Sequence, residues 1–172
     1  ITGNGNEVTN ASNNTVAGQS NDVVNAWANT VSGDANSLTN NSHYNTVSGQ
    51  QNTLNNAESN TVGGLSNALT NSDQNSVAGY DNSLSSSYRN LVAGDSNSLT
   101  NVDSSSVVGQ SNILADSRDN AVSGESNSLT NGANRNQVTG SGNSLNDADE
   151  NSVAGRGNSL LNDADANSVA GL

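Results

Sequence analysis

Valine, leucine and small residues recur along this chain at intervals too regular for a globular core, and those intervals predict β-structure. Valine stands two residues before a glycine at Val16, Val31, Val47, Val62, Val77, Val92, Val107, Val122, Val138, Val153 and Val169. A second aliphatic follows five residues after that glycine, beginning with Val8 and Val23 and continuing as leucine from Leu38 to Leu160. A third, small column lies seven residues before the next glycine, from Ala11 and Ala26 to Ala148 and Ala164. Polar residues alternate with the aliphatic ones, the period-two pattern of a half-buried strand, once around valine and once around leucine. No 3.6-residue period persists anywhere, so no helix is predicted.

The glycines are Gly3, Gly18, Gly33, Gly49, Gly64, Gly79, Gly94, Gly109, Gly124, Gly140, Gly155 and Gly171, spaced by 15 residues except for three steps of 16. Three residues after each comes asparagine, the column of Asn21, Asn36, Asn52, Asn67, Asn82 and Asn97. Four residues before each stands another, the column of Asn14, Asn29, Asn45, Asn60, Asn75 and Asn90, with Ser105 the one substitution. The unit reads Asn-x-Val-x-Gly-x-x-Asn-x-Leu-x-x-(x)-Ala-x-x.

Such a unit predicts an all-β fold: a parallel β-solenoid, or β-roll, of about eleven coils of 15–16 residues with two short strands per coil. Residues 1–172 form a single repeat domain, and stacking at about 4.8 Å per rung gives a length of ~50 Å. The extra residue of the longer units falls between the leucine and small columns, where a turn can absorb it. Glycine is expected to end the valine strand in a conformation that side chains forbid. Asparagine is expected to satisfy turn backbone at both corners and to stack as amide ladders.

Composition narrows the class. Only 30% of the 172 residues are hydrophobic and 2% aromatic, with no Pro, Cys, Met or Phe, too little for a rounded core. The net charge of −12, with arginine as the only strongly basic residue, excludes nucleic acid as a partner, because neutralising phosphates needs a basic stripe. Zero cysteine excludes disulfides and thiolate metal sites. No apolar run is long enough for direct membrane insertion. An acidic surface rich in Ser, Thr and Asn suits an extracellular, cell-surface location. Both ends fall within a repeat, and the expectation is a piece of a longer repeat protein whose export signal lies elsewhere.

Catalysis has little to work with: His43 is the single histidine and no Ser/His/Asp grouping recurs. The chain reads as no enzyme, with no cofactor. Carboxylates cluster at Asp147, Asp149, Glu150, Asp163 and Asp165. Rung spacing would bring Asp149 near Asp165, a repulsion that a divalent cation with oxygen ligands could relieve; a solvated acidic edge is the other reading.

Three surfaces are candidates for interaction. On the valine strand, the column Ala17, Ser32, Ser48, Gly63, Ala78, Ala93, Val108, Ser123, Ala154 and Ala170 is small and uncharged, as chain packing requires, or simply a flat solvated face. On the leucine strand, Ser37 with Thr39, Ser98 with Thr100 and Ser128 with Thr130 give hydroxyl pairs that could match an ice lattice or merely hydrate. The third surface is the variable turn edge, which holds most of the aromatic and basic residues: Trp27, His43, Tyr44, Tyr88, Arg89, Arg118 and Arg135. Exposed aromatics and arginines are the usual anchors of a binding site.

Asn75-Ser76-Val77-Ala78-Gly79 and Asn151-Ser152-Val153-Ala154-Gly155 resemble the head repeats of bacterial trimeric autotransporter adhesins. That resemblance implies a β-roll assembled as a homo-oligomer, a trimer or fibre, that binds host or bacterial surface proteins or glycans. Asn14-Thr15-Val16-Ala17-Gly18 and Asn45-Thr46-Val47-Ser48-Gly49 are similar to the coils of grass ice-binding β-rolls, which implies ice as the partner. The functional expectation is a structural and interaction segment of a bacterial adhesin or surface fibre, with ice binding and a passive spacer as alternatives.

Overall fold

Side chains repeated every 15 or 16 residues end up directly above one another. In the computed structural model, which describes residues 1–171, the valine segments form a twelve-stranded parallel sheet and the leucine segments an eleven-stranded one. Thr30–Asp34 pairs with Thr46–Gln50 so that Val31 faces Val47 and Gly33 faces Gly49. Ser37–Thr39 pairs with Thr53–Asn55, Leu38 on Leu54. The chain is thus a parallel β-solenoid of about eleven turns. Valine, leucine and the small residue of each turn point inward and form one continuous core. Among the described core residues only Val8, Ala11, Ala164 and Val169 are partly open, because the first and last coils have a neighbour on one side alone.

The two asparagine columns are buried ladders. Asn36 Nδ2 donates to Asn21 Oδ1 (2.9 Å) and to the Gly49 carbonyl (3.0 Å), while its Oδ1 accepts from Asn52 N (3.1 Å) and Nδ2 (2.9 Å). Asn45 Nδ2 donates to Asn29 Oδ1 (3.2 Å) and the Ala57 carbonyl (2.8 Å), and its Oδ1 accepts from Asn60 N (2.9 Å) and Nδ2 (3.1 Å). Each amide therefore uses both donors and both lone pairs, as a fully buried amide must. The ladders expected from the sequence are therefore present, and the column after the glycine also reaches its own turn, as Asn36 Nδ2 does at the Ser32 carbonyl (3.3 Å).

Ser105 interrupts one ladder. Its N–H still donates to Asn90 Oδ1 (2.8 Å), and its hydroxyl accepts from Asn120 N (3.1 Å), but it has no amide to give. In the other coils that second amide hydrogen reaches the carbonyl of the small column, as from Asn90 to Val102. Ser117, the residue that would receive it here, also buries a hydroxyl with no partner.

Glycine does not end the valine strand, which runs one residue beyond it, as in Thr15–Gln19. Its requirement is twofold. Gly79 has φ +129, and a Cβ there would lie 1.9 Å from the Gly94 carbonyl oxygen. The neighbouring coil leaves no volume for any side chain in this column.

Three corners close each coil at left-handed residues, such as Ala35 (φ 55), Asn40 (φ 51) and Tyr44 (φ 57). No Val, Ile or Thr occupies a positive-φ position among the described residues, as their branched Cβ requires. The extra residue of a long coil doubles the middle corner, where Asn40 and Asn41 (φ 63) are both left-handed and an ordinary coil has Asn25 alone.

These corners also delimit a third side, beyond the two strands expected. Bridges Ser12 to Trp27, His43 to Glu58 and Tyr88 to Asp103 mark it, and in the strands Ser98–Asp103 and Ile113–Arg118 it pairs fully. Elsewhere a side chain replaces the bridge. Glu58 N donates to Asp73 Oδ1 (2.7 Å), Arg118 N to Asn134 Oδ1 (3.0 Å) and Asn134 N to Asp149 Oδ1 (2.7 Å). An Asp or Asn in the next coil takes the amide that a carbonyl would otherwise accept.

Two outcomes are expected in urea or thermal unfolding. Gly79→Ala destabilises by about 3 kcal/mol or more, a backbone clash, whereas Gly142→Ala, with open space around it at φ +65, costs only about 1 kcal/mol. Ser105→Asn completes the ladder and raises stability by about 1 kcal/mol.

Candidate functional site

The variable edge is the outer surface of the third side, and the structure separates its residues into distinct roles. Trp27 and His43 lie on adjacent rungs with their rings stacked, centroids 3.2 Å apart at 20°. His43 Nδ1 accepts the Trp27 backbone N–H at 3.2 Å, the same capping that Asp and Asn perform on other rungs. At 7% exposure His43 is a covered structural residue, which corrects its reading as a displayed ligand group: the stacked indole and the capping bond both hold it in. Trp27, Tyr44 and Tyr88 remain 41%, 58% and 42% exposed.

The arginines differ among themselves. Arg89 Nε donates to Asp103 Oδ1 (3.0 Å), a pairing that raises the guanidinium pKa and holds the Asp103 carboxyl below its ordinary range. Arg135 Nη2 lies 2.8 Å from Glu150 Oε1 and 3.8 Å from Asp149 Oδ2. Exposed pairs of this kind contribute little stability. Arg118 sits on the rung before Arg135, and among the described residues its guanidinium makes no ion pair or hydrogen bond. The acidic cluster is organised by backbone: Asp149 N donates to Asp165 Oδ1 at 2.9 Å, so the two carboxylates cap successive amides. Among the described residues no group of three or more His, Asp or Glu is placed to hold a metal ion.

A feature that the sequence reading missed is the second wall of this edge. The middle-corner residues, Asn or Asp in almost every coil, line up beside the edge residues, and segments of a shallow open groove lie between the two columns. One segment, about 190 Å³, is lined by Glu58, Asn71, Asp73 and Tyr88 among others. Another, about 390 Å³, includes Asn101, Asp103, Asp116 and Arg118. The corner amides bond along the column, Asn56 Nδ2 to Asn71 Oδ1 (2.8 Å) and Asn101 Nδ2 to Asp116 Oδ1 (2.7 Å). The signal was available: Asn10, Asn25, Asn56, Asn71 and Asn101 stand seven residues after the glycine.

The candidate packing face is the exterior of the twelve-stranded sheet, and its column from Ala17 to Ala170 is exposed or half-exposed. Near its centre the hydroxyl-bearing surface gives way to apolar side chains. Tyr80 (51% exposed) lies beside Leu65, Leu91 (49%) pairs with Ser76 and Ser106, and Val108 (44%) follows Ala93. Ser37 and Thr39 on the leucine strand are only half-exposed, whereas Thr15, Thr30, Thr46 and Thr61, a hydroxyl row on the valine strand, are exposed. The leucine face also carries Asp22 beside Glu7, with one carboxylate oxygen buried and unpartnered.

No protein-family model matches the chain, and no curated protein aligns with it significantly. The fold itself defines the class, a tandem-repeat parallel β-solenoid consistent with a β-roll.

Burial, and secondarily Glu7, raise the Asp22 pKa. A carboxyl whose folded pKa lies above its unfolded value destabilises fully above the folded pKa and not at all below the unfolded one. Asp22→Ser is therefore expected to stabilise the chain at neutral pH, with the gain vanishing as the pH falls through the carboxylate range in melts recorded across pH.

Proposed function

We propose that this chain is a non-enzymatic structural and interaction segment of an extracellular bacterial adhesin or surface fibre. It assembles as a homo-oligomer through the outer face of the twelve-stranded sheet and recognises surface ligands along its variable edge. The observation that carries this reading is the run of Leu65, Tyr80, Leu91 and Val108 on neighbouring rungs, beside Gly63, Ala78 and Ala93. Contiguous exposed apolar surface on a soluble chain marks contact sites. Here the small residues alongside leave room for another sheet to approach. Trimeric assembly is the arrangement implied by the resemblance of Asn75–Gly79 to autotransporter heads.

Ice binding is the second reading, and one observation favours it. Thr15, Thr30, Thr46 and Thr61 are exposed and directly paired in register, an evenly spaced hydroxyl row. The two readings compete for the same sheet face, since a face covered by a partner chain is closed to ice.

Sedimentation equilibrium is expected to give a multiple of the chain mass, and Leu91→Asp combined with Val108→Asp to give the monomer. A parent chain that stays monomeric at high concentration overturns self-assembly, and thermal hysteresis then decides whether the threonine row binds ice.

A further inference from the structure

Two depressions lie in line along the variable edge, and we infer that together they form a binding groove for a linear, uncharged polysaccharide. This deepens the recognition part of the preceding proposal and rests on that reading in taking the variable edge as the ligand side. It does not require the chain to self-assemble.

The first argument is geometric. One depression follows the stack axis across the rungs of His43, Glu58, Asp73 and Tyr88, and the other continues the same line across those of Asp103, Arg118 and Asn134. The six rung-to-rung steps from His43 to Asn134 span ~29 Å at about 4.8 Å each. A straight row of shallow depressions, open to solvent and repeating along the axis, fits an extended polymer better than a compact small molecule, which a deep concave pocket would enclose.

The second argument is chemical. Both walls present hydrogen-bonding groups at rung spacing: corner amides and carboxylates on one side, Glu58, Asp73 and Arg118 on the other. Several are free to engage a ligand. Asn71 accepts a bond at Oδ1, but its amide nitrogen donates none within the chain, and Arg118 is unpaired. Vicinal sugar hydroxyls, each both donor and acceptor, match such a mixed row. Tyr88 lies at the end of the first depression, next to the rung on which the second begins, with 42% of its surface exposed, a flat ring on which the C–H face of a pyranose can rest.

Charge and backbone exclude the competing polymers. Glu58, Asp73, Asp103 and Asp116 outnumber the basic groups Arg89 and Arg118, so a nucleic acid or sulfated glycan is repelled. An extended peptide would need a free strand edge or apolar anchor pockets. The strands beside the groove are hydrogen-bonded coil to coil along the whole stack, and the walls are polar.

The test is isothermal titration of the folded chain with cellohexaose, xylohexaose and chitohexaose, with heparin and a polylysine peptide as comparison ligands. Saturable binding of at least one neutral hexasaccharide is expected, weakened about tenfold or more by Tyr88→Ala. Arg118→Ala, at an exposed and unpaired side chain, provides a second variant that keeps the fold and is expected to weaken binding in the same direction. Leu91→Asp should bind as the parent does, whatever its oligomeric state, which separates this result from self-assembly. The proposal is overturned if no neutral glycan binds, if both groove variants bind like the parent, or if heparin or polylysine binds in their place.

Discussion

The close approach of successive coils at the glycine column is the constraint on which the rest of this structure depends. With each glycine Cβ position occupied by the next coil's carbonyl oxygen, the backbones can sit at hydrogen-bonding distance only if no side chain intervenes. Once they do, every other residue is forced above its counterpart, and each column must consist of groups able to neighbour copies of themselves. Valine and leucine satisfy that condition by packing. Asparagine satisfies it because an amide is donor at one end and acceptor at the other, so a stack of amides closes its own hydrogen bonds. Few buried polar side chains share that property, and the substitution at Ser105 illustrates the cost: one hydroxyl cannot replace two amide hydrogens.

This self-matching rule explains how so apolar-poor a chain can be ordered. A small core runs the length of the rod, and the buried asparagines would be a severe penalty in any fold that left them unpaired. Repetition turns that penalty into directional bonds between neighbouring coils. It also makes each coil dependent on its neighbours, as in other repeat architectures where interfaces between units carry much of the stability.

Outside the columns the rule relaxes, and there the surface diversifies. The third side tolerates two ways of joining coils, a backbone bridge or a capping side chain. Residues as different as Trp27, Glu58, Tyr88 and Arg118 therefore occupy one position without disturbing the stack. That tolerance concentrates chemical variety along one edge and sets it against the regular asparagine corner, which together define the groove. The flat valine face varies less, and its central apolar run stands out because the sheet beneath it is so uniform.

The sequence by itself determined the solenoid, the parallel register, the inward columns and the place of the extra residue at Asn41, because periodicity of 15 or 16 residues leaves a stacked chain no other registration. It also located the variable edge and brought Trp27 beside His43. Only the tertiary structure decided what those residues do: that His43 is covered and caps an amide, that Arg89 and Arg135 are paired while Arg118 is not, and that the corner asparagines form a wall. Spacing along the chain says which residues share a rung or a column, but whether a side chain turns to a neighbouring backbone or to solvent depends on donors and acceptors supplied by the adjacent coil. The amide ladders were legible in the sequence, but the bond from each buried amide to the next coil's carbonyl, as from Asn36 to Gly49, was not, because only stacking brings that carbonyl within reach.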